Sequence, residues 1–241
     1  MTHTRREILL STASAGVVAA SAHATSQGDA RAARHVVLLG DSIFDNGVYV
    51  PGKPSVIEQL GQELGERGKA TLLAKDGDVT ASIAGQLAKL PKDATHLVLS
   101  VGGNDALQHT GLLDKAMKNS AELLAELAAI HARFRRAYAQ MLAAVLMHER
   151  PTAVCLIYDS NFDGPKKQLA DVALSVFNDA ILRCAGAAGV PVLDLRRIFT
   201  ERKDYANPIE PSEVGGGKMV KAIVRVTEEH DFAKGRTTIY S

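Results

Sequence analysis

A serine at the end of a short apolar run is the first residue of this chain that could do chemistry. The run 35–39 leads directly into Gly40-Asp41-Ser42. A serine hydroxyl acts as a nucleophile towards an acyl group when a nearby base accepts its proton. The alternative for Ser42 is a purely structural role, since a serine at the end of a strand also forms turns and caps helices.

Two further positions could supply hydrogen-bond donors to such a reaction. Gly77 follows the apolar run 70–75, and Asn104 follows the run 95–101. A tetrahedral intermediate of acyl transfer carries a negative oxygen, and preorganised donors aimed at that oxygen supply much of the rate. Gly77 suits this role because a residue without Cβ lets the backbone approach the substrate. A turn glycine and a turn asparagine are the structural alternatives.

The elements that must position these residues follow from the hydrophobic pattern. Short apolar runs without strict alternation predict strands that are buried on both faces. Stretches with helical periodicity separate the runs and predict a helix between successive strands. The predicted strands are 35–41, 70–75, 95–101, 152–158 and 190–195, and the predicted helices are 54–67, 79–89, 119–149, 165–187 and 213–229.

The alternation of strands and helices predicts an α/β fold, in which a parallel sheet carries helices on both faces. Right-handed crossovers and a central first strand give a flavodoxin-like strand order, 2-1-3-4-5. Ligands of such sheets bind beyond the carboxyl ends of the strands. Ser42, Gly77 and Asn104 each follow a predicted strand, so we expect them to share one rim and one site.

Three short blocks occur in an order and at a spacing that resemble the SGNH (GDSL-type) hydrolase family over residues 35–225. They are Gly40-Asp41-Ser42, Gly77 and Gly102-x-Asn104-Asp105. The resemblance implies a three-layer α/β/α sandwich around a five-stranded parallel sheet. It also implies that Ser42 is the nucleophile. The oxyanion hole would then consist of the backbone N–H groups of Ser42 and Gly77 and the side-chain amide of Asn104.

The last block of the family has a different form in this chain. Family members carry Asp-x-x-His-Pro, in which the histidine activates the serine, whereas this chain reads Asn207-Pro208-Ile209-Glu210-Pro211. The resemblance therefore places Glu210 where the histidine stands and Asn207 where the aspartate stands. We expect Glu210 to be the general base and Asn207 to orient it through its amide, because an aspartate there would repel the carboxylate and raise its pKa.

A glutamate base changes the expected pH dependence. The ordinary pKa is about 4.3 for Glu and about 6.5 for His. We expect activity to persist as the pH falls through 7 and to disappear only when Glu210 protonates. With a Brønsted slope of roughly one half, the weaker base costs about tenfold in proton abstraction. Burial would narrow this difference, so the sequence predicts a slower enzyme and not an inactive one.

Another histidine is the alternative base. His109 is the best placed, because it lies on the same predicted rim, shortly after Asp105. The other histidines of the predicted domain begin strands or lie on helices, and we assign them packing or surface roles. They are His35, His96, His131, His148 and His230.

The combined pattern predicts a serine carboxylic-ester hydrolase, esterase- or lipase-like, that acts on a small-molecule ester or another acylated substrate. Ser42 attacks the carbonyl and Glu210 accepts its proton. Two alternatives stay open. The first is a non-catalytic binding protein of the SGNH fold that kept the cleft and lost the histidine. The second is an acyltransferase that uses the same serine.

The beginning of the chain predicts export. The arginine pair at 5–6 precedes an apolar stretch that ends in a small-x-small cleavage signal near Ala24. This pattern resembles a twin-arginine signal. We expect residues 1–24 to be a signal peptide, 25–34 a linker and 35–241 the hydrolase domain of a periplasmic or secreted protein. The apolar stretch is too short and too rich in Ala and Ser to be a stable membrane anchor.

Composition restricts the partners further. The 241 residues carry 28 basic and 27 acidic side chains, a net charge of +1, which gives no reason to expect a nucleic-acid partner. The sequence contains no zinc-ligand spacing, P-loop or dinucleotide fingerprint, so we expect no metal and no cofactor. Cys155 and Cys184 fit buried free thiols, with a disulfide formed after export as the alternative. The pattern leaves the oligomeric state open.

Overall fold

Six parallel strands form one sheet within residues 33–241, which are the residues that the computed structural model describes. The predicted signal peptide, 1–24, and most of the predicted linker, 25–34, lie outside the described residues. The strands are β1 Arg34–Gly40, β2 Gly68–Leu72, β3 His96–Ser100, β4 Thr152–Cys155, β5 Val192–Leu193 and β6 Ile239–Tyr240. Their order in the sheet is β2-β1-β3-β4-β5-β6.

The predicted fold class is confirmed, with one correction to the number of strands. The first five strands have the predicted order. The sixth, β6, was not predicted and pairs in parallel with β5, so that Val192 lies opposite Ile239 and Leu193 opposite Tyr240. A strand of two residues is too short to show a hydrophobic period, and the sequence therefore gives no signal for it.

Helices connect the strands in the predicted alternation. They are α1 Val56–Leu64, α2 Ile83–Leu87, α3 Gly103–Leu107, α4 Ser120–Leu146, α5 Gly164–Ala188, α6 Leu195–Ile198 and α7 Glu213–Glu229. Short 3₁₀ turns lie at Gly47–Tyr49, Gly65–Arg67, Thr80–Ser82, Thr110–Asp114, Arg202–Asp204 and Phe232–Lys234. The five predicted helices correspond to α1, α2, α4, α5 and α7. The helices α3 and α6 are too short to show helical periodicity.

The core lies on both faces of the sheet, which explains the continuous apolar runs of the strands. Side chains of a strand alternate between the two faces. In β1, Val36 and Leu38 pack in the cluster that contains α1 and α7, whereas Val37 and Leu39 pack in the cluster that contains α2, α4 and α5. All four side chains are fully buried. The result is a three-layer α/β/α sandwich.

The long helix α4 extends beyond the core at its beginning. Asn119 caps it, because its Oδ1 accepts a hydrogen bond from the Glu122 N–H at 3.0 Å. The first buried residue of the helix is Ile130. In the turns before it, Leu123 and Leu124 are 37% and 64% exposed. The apolar stripe of α4 therefore continues past the sheet, towards the rim at which the strands end.

Two further observations concern covalent links and membranes. Cys155 and Cys184 are both buried and both free, so the alternative of a disulfide between them is not realised. Among residues 33–241, no helix has both the length and the apolar character needed to cross a membrane.

Candidate active site

The strand β1 ends in a close approach to β3, and this approach positions Ser42. Gly40 has a positive φ of 140°, and a Cβ on it would lie 1.8 Å from the carbonyl oxygen of Ser100. Only glycine fits this position, because any side chain would collide with the backbone of β3. The N–H of Asp41 then donates to the same Ser100 oxygen at 3.2 Å. Ser42 therefore lies at the carboxyl rim of the sheet, as predicted from its place after the strand.

Asp41 braces the turn that carries Ser42. Its Oδ1 accepts a hydrogen bond from the Ile43 N–H at 3.1 Å. Burial, together with the nearby charges of Glu210 and Asp105, raises the pKa of Asp41 to about 8. Asp41 is therefore mostly neutral at pH 7.

The turn that carries Glu210 is held by its own backbone and by Asn207. The Ala206 N–H donates to the carbonyl oxygen of Glu210 at 2.9 Å. Asn207 Oδ1 accepts from the N–H groups of Ile209 at 2.9 Å and of Glu210 at 3.0 Å. Asn207 therefore contacts the backbone of Glu210 through its side-chain oxygen. The sequence predicts a different contact, from the Asn207 amide to the Glu210 carboxylate.

The side chain of Glu210 is buried beside Ser42. Only 5% of the residue is exposed, and its Oε2 has no hydrogen-bond partner among the described residues. Burial raises the pKa of Glu210 to about 7; the neighbouring Ser42 hydroxyl acts in the lowering direction and the charge of Asp76 in the raising one. The site therefore holds a serine hydroxyl and a carboxylate with an unused acceptor oxygen.

The raised pKa revises the expected pH dependence. That expectation started from a carboxyl group in water, with a pKa of about 4.3. Burial moves the pKa of Glu210 to about 7, so a reaction with Glu210 as its base would have its acidic limit near neutrality. A general base is most effective when its pKa is close to the working pH. A buried glutamate thus reaches the basicity of an ordinary histidine.

Asn46 joins the loop that contains Ser42 to the turn that carries Glu210. Its side chain is fully buried. Asn46 Nδ2 donates to the carbonyl oxygen of Pro211 at 3.2 Å, and Pro211 follows Glu210 directly. Asn46 Oδ1 accepts from the Val56 N–H, at the beginning of α1, at 2.9 Å. Sequence reasoning missed this residue, because an asparagine followed by glycine indicates only a turn.

Gly77 lies in a turn whose geometry requires glycine. The Asp78 N–H donates to the Lys75 oxygen at 3.0 Å, and Gly77 has a φ of 81°, as the third residue of a type II turn does. Nothing lies within 4 Å of the position that its Cβ would take. Asn104 Nδ2 donates to the Asp78 oxygen at 2.9 Å, which holds the Asn104 amide beside this turn.

Two polar side chains fix this turn against the sheet. Gln86 accepts from the Gly40 N–H at 2.9 Å and donates to the Gly40 oxygen and to Asp78 Oδ2, both at 2.7 Å. Asp105 Oδ2 accepts from the Thr80 N–H at 3.0 Å. Sequence reasoning missed Gln86, because α2 is short and nothing in it marks a buried amide. Side chains from two helices, α2 and α3, thus hold the segment that contains Gly77.

None of the described histidines is a hydrogen-bond partner of Ser42 or Glu210. His109 lines the same cavity as Ser42, but its ring stacks on Phe177, with the ring centroids 6.2 Å apart. Four other histidines of the described part hydrogen-bond to side chains outside this cavity: His35, His96, His131 and His230. The side chain that lies beside Ser42 is therefore a carboxylate, that of Glu210, and not a histidine.

These residues open into a cavity of about 550 Å³. Ser42, Asn104 and Glu210 lie at its polar end, and apolar side chains of α3, α4, α5 and the segment between α3 and α4 line much of the remainder. In residues 33–241, no group of three or more His, Cys, Asp or Glu side chains is arranged to hold a metal ion. The arrangement suits nucleophilic attack on an acyl group that enters this cavity.

Comparisons with known proteins agree with this geometry. The model of the GDSL-like lipase/acylhydrolase family matches residues 38–215. Among solved structures, the chain is similar to an α/β hydrolase enzyme from the metagenome of Lake Arreo, Spain, with a TM-score of 0.60 at 15% identity over 82% of this chain and 96% of that chain. It is also similar to an extracellular lipase from Streptomyces rimosus, with a TM-score of 0.56 at 19% identity over 77% of this chain and 96% of that chain.

A third solved structure, phospholipase A1 from Streptomyces albidoflavus, has a TM-score of 0.57 at 16% identity over 80% of this chain and 99% of that chain. At these identities, the likeness shows the fold. None of the curated proteins matches the sequence.

Proposed function

Because the chain belongs to the GDSL-like lipase/acylhydrolase family, we propose that it is a serine carboxylic-ester hydrolase in which Ser42 is the nucleophile and Glu210 is the general base. One observation carries the proposal: the buried Glu210 carboxylate lies beside the Ser42 hydroxyl, and its Oε2 has no hydrogen-bond partner among the described residues. A buried carboxylate acceptor next to a serine hydroxyl is the pairing that nucleophilic catalysis requires.

The first half of the reaction forms an acyl-enzyme. Glu210 accepts the hydroxyl proton of Ser42 while Ser42 Oγ bonds to the ester carbonyl carbon. The carbonyl oxygen becomes negative and is stabilised by the N–H groups of Ser42 and Gly77 and by the Asn104 amide, which has a second hydrogen besides the one donated to Asp78. The bond to the leaving alcohol then breaks, and Glu210 returns the proton to the alcohol oxygen.

The second half of the reaction releases the acid. Water enters where the alcohol left, Glu210 accepts one of its protons, and the resulting hydroxide attacks the acyl carbon. The bond to Ser42 Oγ breaks, and Glu210 returns the proton to that oxygen. In this scheme Asn207 positions Glu210 through the two backbone N–H groups that it binds.

We propose that residues 1–24, which lie outside the described residues, are a twin-arginine export signal and that the mature protein is periplasmic or secreted. The support is the arginine pair at 5–6, the apolar stretch and the cleavage pattern near Ala24. Mass spectrometry of the secreted protein tests this: a mature chain that keeps its first residues would contradict the cleavage.

Covalent labelling tests the proposed reaction. A serine-directed phosphonate should modify Ser42, and purified protein should hydrolyse a small activated ester, with Ser42→Ala losing both properties. A non-catalytic binding protein would show neither labelling nor turnover. An acyltransferase would form a new ester when an acceptor alcohol is present, which product analysis would detect. Labelling at another residue would contradict the role of Ser42.

A further inference from the structure

We propose that the apolar part of the cavity binds an extended aliphatic acyl chain, so that the substrates are esters of medium- to long-chain fatty acids and not acetate esters. The inference rests on the proposed function, because the cavity begins at Ser42 and Glu210. It adds to the proposed function the chemical class of the acyl group that is bonded to Ser42 in the acyl-enzyme.

The walls of the cavity are largely apolar, and most of the apolar side chains come from α3, α4, α5 and the segment between α3 and α4. Leu127 and Ile130 lie on α4, three residues apart and therefore on one face. Ala173 and Phe177 lie on α5, four residues apart, and face the same space. Leu112 closes it from the segment before α4. A volume of about 550 Å³ is within the range of ~300–1,000 Å³ that is typical of small-molecule sites, and an acetyl group would leave most of it empty.

Several apolar side chains of this cavity are exposed in the free protein. Leu107 is 44% exposed, Leu113 56%, Leu169 54% and Val172 66%, and all four line the cavity. A contiguous exposed apolar patch marks a binding surface more often than single exposed apolar residues do. Binding of an aliphatic chain would remove the surfaces of the chain and of these side chains from water, which stabilises the complex.

The charged groups of the cavity do not form a site for a polar ligand. Lys115 forms an ion pair with Glu126 at 2.6 Å. Lys166 lies over the ring of Phe162, 4.0 Å from its centroid. A sugar or a phosphate would meet few free hydrogen-bond partners along these walls, and unpaired polar groups in an apolar cavity are costly. The lining therefore favours a hydrocarbon.

The position of the cavity along the sheet assigns it to the acyl group. It lies beyond β3 and β4, on one side of β1, whereas the other side of β1 leads to β2 and the turn that follows it. That second side is polar: Tyr49 Oη donates to Asp76 Oδ2 at 2.9 Å, and the Asp76 N–H donates to Asp45 Oδ2 at 2.9 Å. It suits a polar alcohol that leaves early. The acyl chain stays in the site through both halves of the reaction. We therefore assign the apolar cavity to the acyl chain.

A chain-length series on the wild-type protein tests the proposal. With p-nitrophenyl esters from acetate through hexanoate to decanoate, kcat/KM should rise by up to about fourfold for each added methylene until the cavity is filled. With acetate esters of alkanols of increasing length, it should change little. A flat or falling acyl series, with the acetate ester turned over, would overturn the proposal. A rise confined to the alkanol series would overturn the assignment to the acyl group.

A blocking variant locates the effect. Ala173→Trp should lower kcat/KM for the decanoate ester much more than for the acetate ester. The matched control is Ala139→Trp, which places the same side chain on α4 in a separate groove lined by Arg135, Arg136 and Arg183, and it should keep the wild-type ratio. If the ratio of kcat/KM for the decanoate ester to kcat/KM for the acetate ester is the same in both variants and the wild type, Ala173 does not line a site for the acyl chain.

A binding measurement separates failure of this inference from failure of the proposed function. Calorimetry on Ser42→Ala with methyl ketones of increasing chain length requires no turnover. Affinity should rise by up to about fourfold for each methylene. If it rises while the wild-type protein hydrolyses no ester, the proposed function fails and the hydrocarbon site stands. If affinity is independent of chain length, the hydrocarbon site is refuted.

Discussion

Asn46 donates a hydrogen bond to the carbonyl oxygen of Pro211 at 3.2 Å, and this bond joins the loop of the proposed nucleophile, Ser42, to the turn of the proposed base, Glu210. Ser42 lies a few residues before Asn46, and Glu210 is the residue before Pro211. The same asparagine is held from its other side by the Val56 N–H. One buried side chain therefore connects the loop of Ser42 to the turn of Glu210, the two residues between which we propose that the proton moves.

Removal of this side chain should impair both stability and catalysis. Asn46→Ala leaves the Val56 N–H and the Pro211 oxygen buried without partners, at a cost of ~1–3 kcal/mol for each such group. The free energy of unfolding should fall by the sum of the two costs, about 2–6 kcal/mol, and kcat should fall because Glu210 is no longer held at Ser42. Urea unfolding and steady-state kinetics measure the two effects.

The control for Asn46 separates lost positioning from lost stability. Ile223→Val, in the fully buried core of α7, should cost ~0.5–1.5 kcal/mol and leave kcat unchanged. A wild-type kcat in Asn46→Ala would show that the Asn46–Pro211 bond does not position the base.

Asn104 should contribute to the transition state and not to substrate binding. Asn104→Ala removes an oxyanion donor, which typically lowers kcat by ~10²–10³, while KM should change little. Gln108→Ala, an exposed position just after the same short helix, should behave as the wild type. A kcat for Asn104→Ala within the error of the wild-type value would remove Asn104 from the site.

The sequence predicts the frame of the site better than its internal contacts. The strand runs and their alternation with helices place Ser42, Gly77 and Asn104 on one rim, because parallel strands end at the same edge. The bond from Asn46 to Pro211 joins parts of the chain that are far apart, and local patterns carry no information about such a pair. The raised pKa of Glu210 depends on burial in the folded protein. The contact of Asn207 depends on the turn geometry.

Asn207→Asp should shift the pH dependence in a defined direction. A carboxylate at this position can still accept hydrogen bonds from the N–H groups of Ile209 and Glu210. Its negative charge should raise the pKa of Glu210 above the wild-type value of about 7. The acidic limb of kcat/KM should move to higher pH, with the plateau retained. Asn207→Ala should lower kcat/KM without moving the acidic limb of its pH profile to higher pH. An unshifted limb in Asn207→Asp would contradict the neighbouring position of Glu210.

The buried Asp41 should make stability depend on pH. Its pKa is raised from 3.8 to about 8 in the folded protein, so the folded state binds this proton more tightly than the unfolded state. The stabilising effect is present below about pH 4 and is lost as the pH rises towards 8. Asp41→Asn keeps an acceptor for the Ile43 N–H, and its stability relative to the wild type should increase across this pH range. Urea midpoints measure the difference, and a constant difference would refute the raised pKa.

The rate of acyl-enzyme formation in Glu210→Gln tests the account most directly. The substitution keeps the shape of the side chain and removes its basicity, and at pH 8 the wild-type Glu210, with a pKa of about 7, is mostly ionised. Loss of general-base catalysis should lower the single-turnover rate with an activated ester by ~10²–10⁴, while the near-UV circular dichroism stays that of the wild type. A wild-type rate in Glu210→Gln would contradict the carboxylate-base mechanism and pass the role of base to His109.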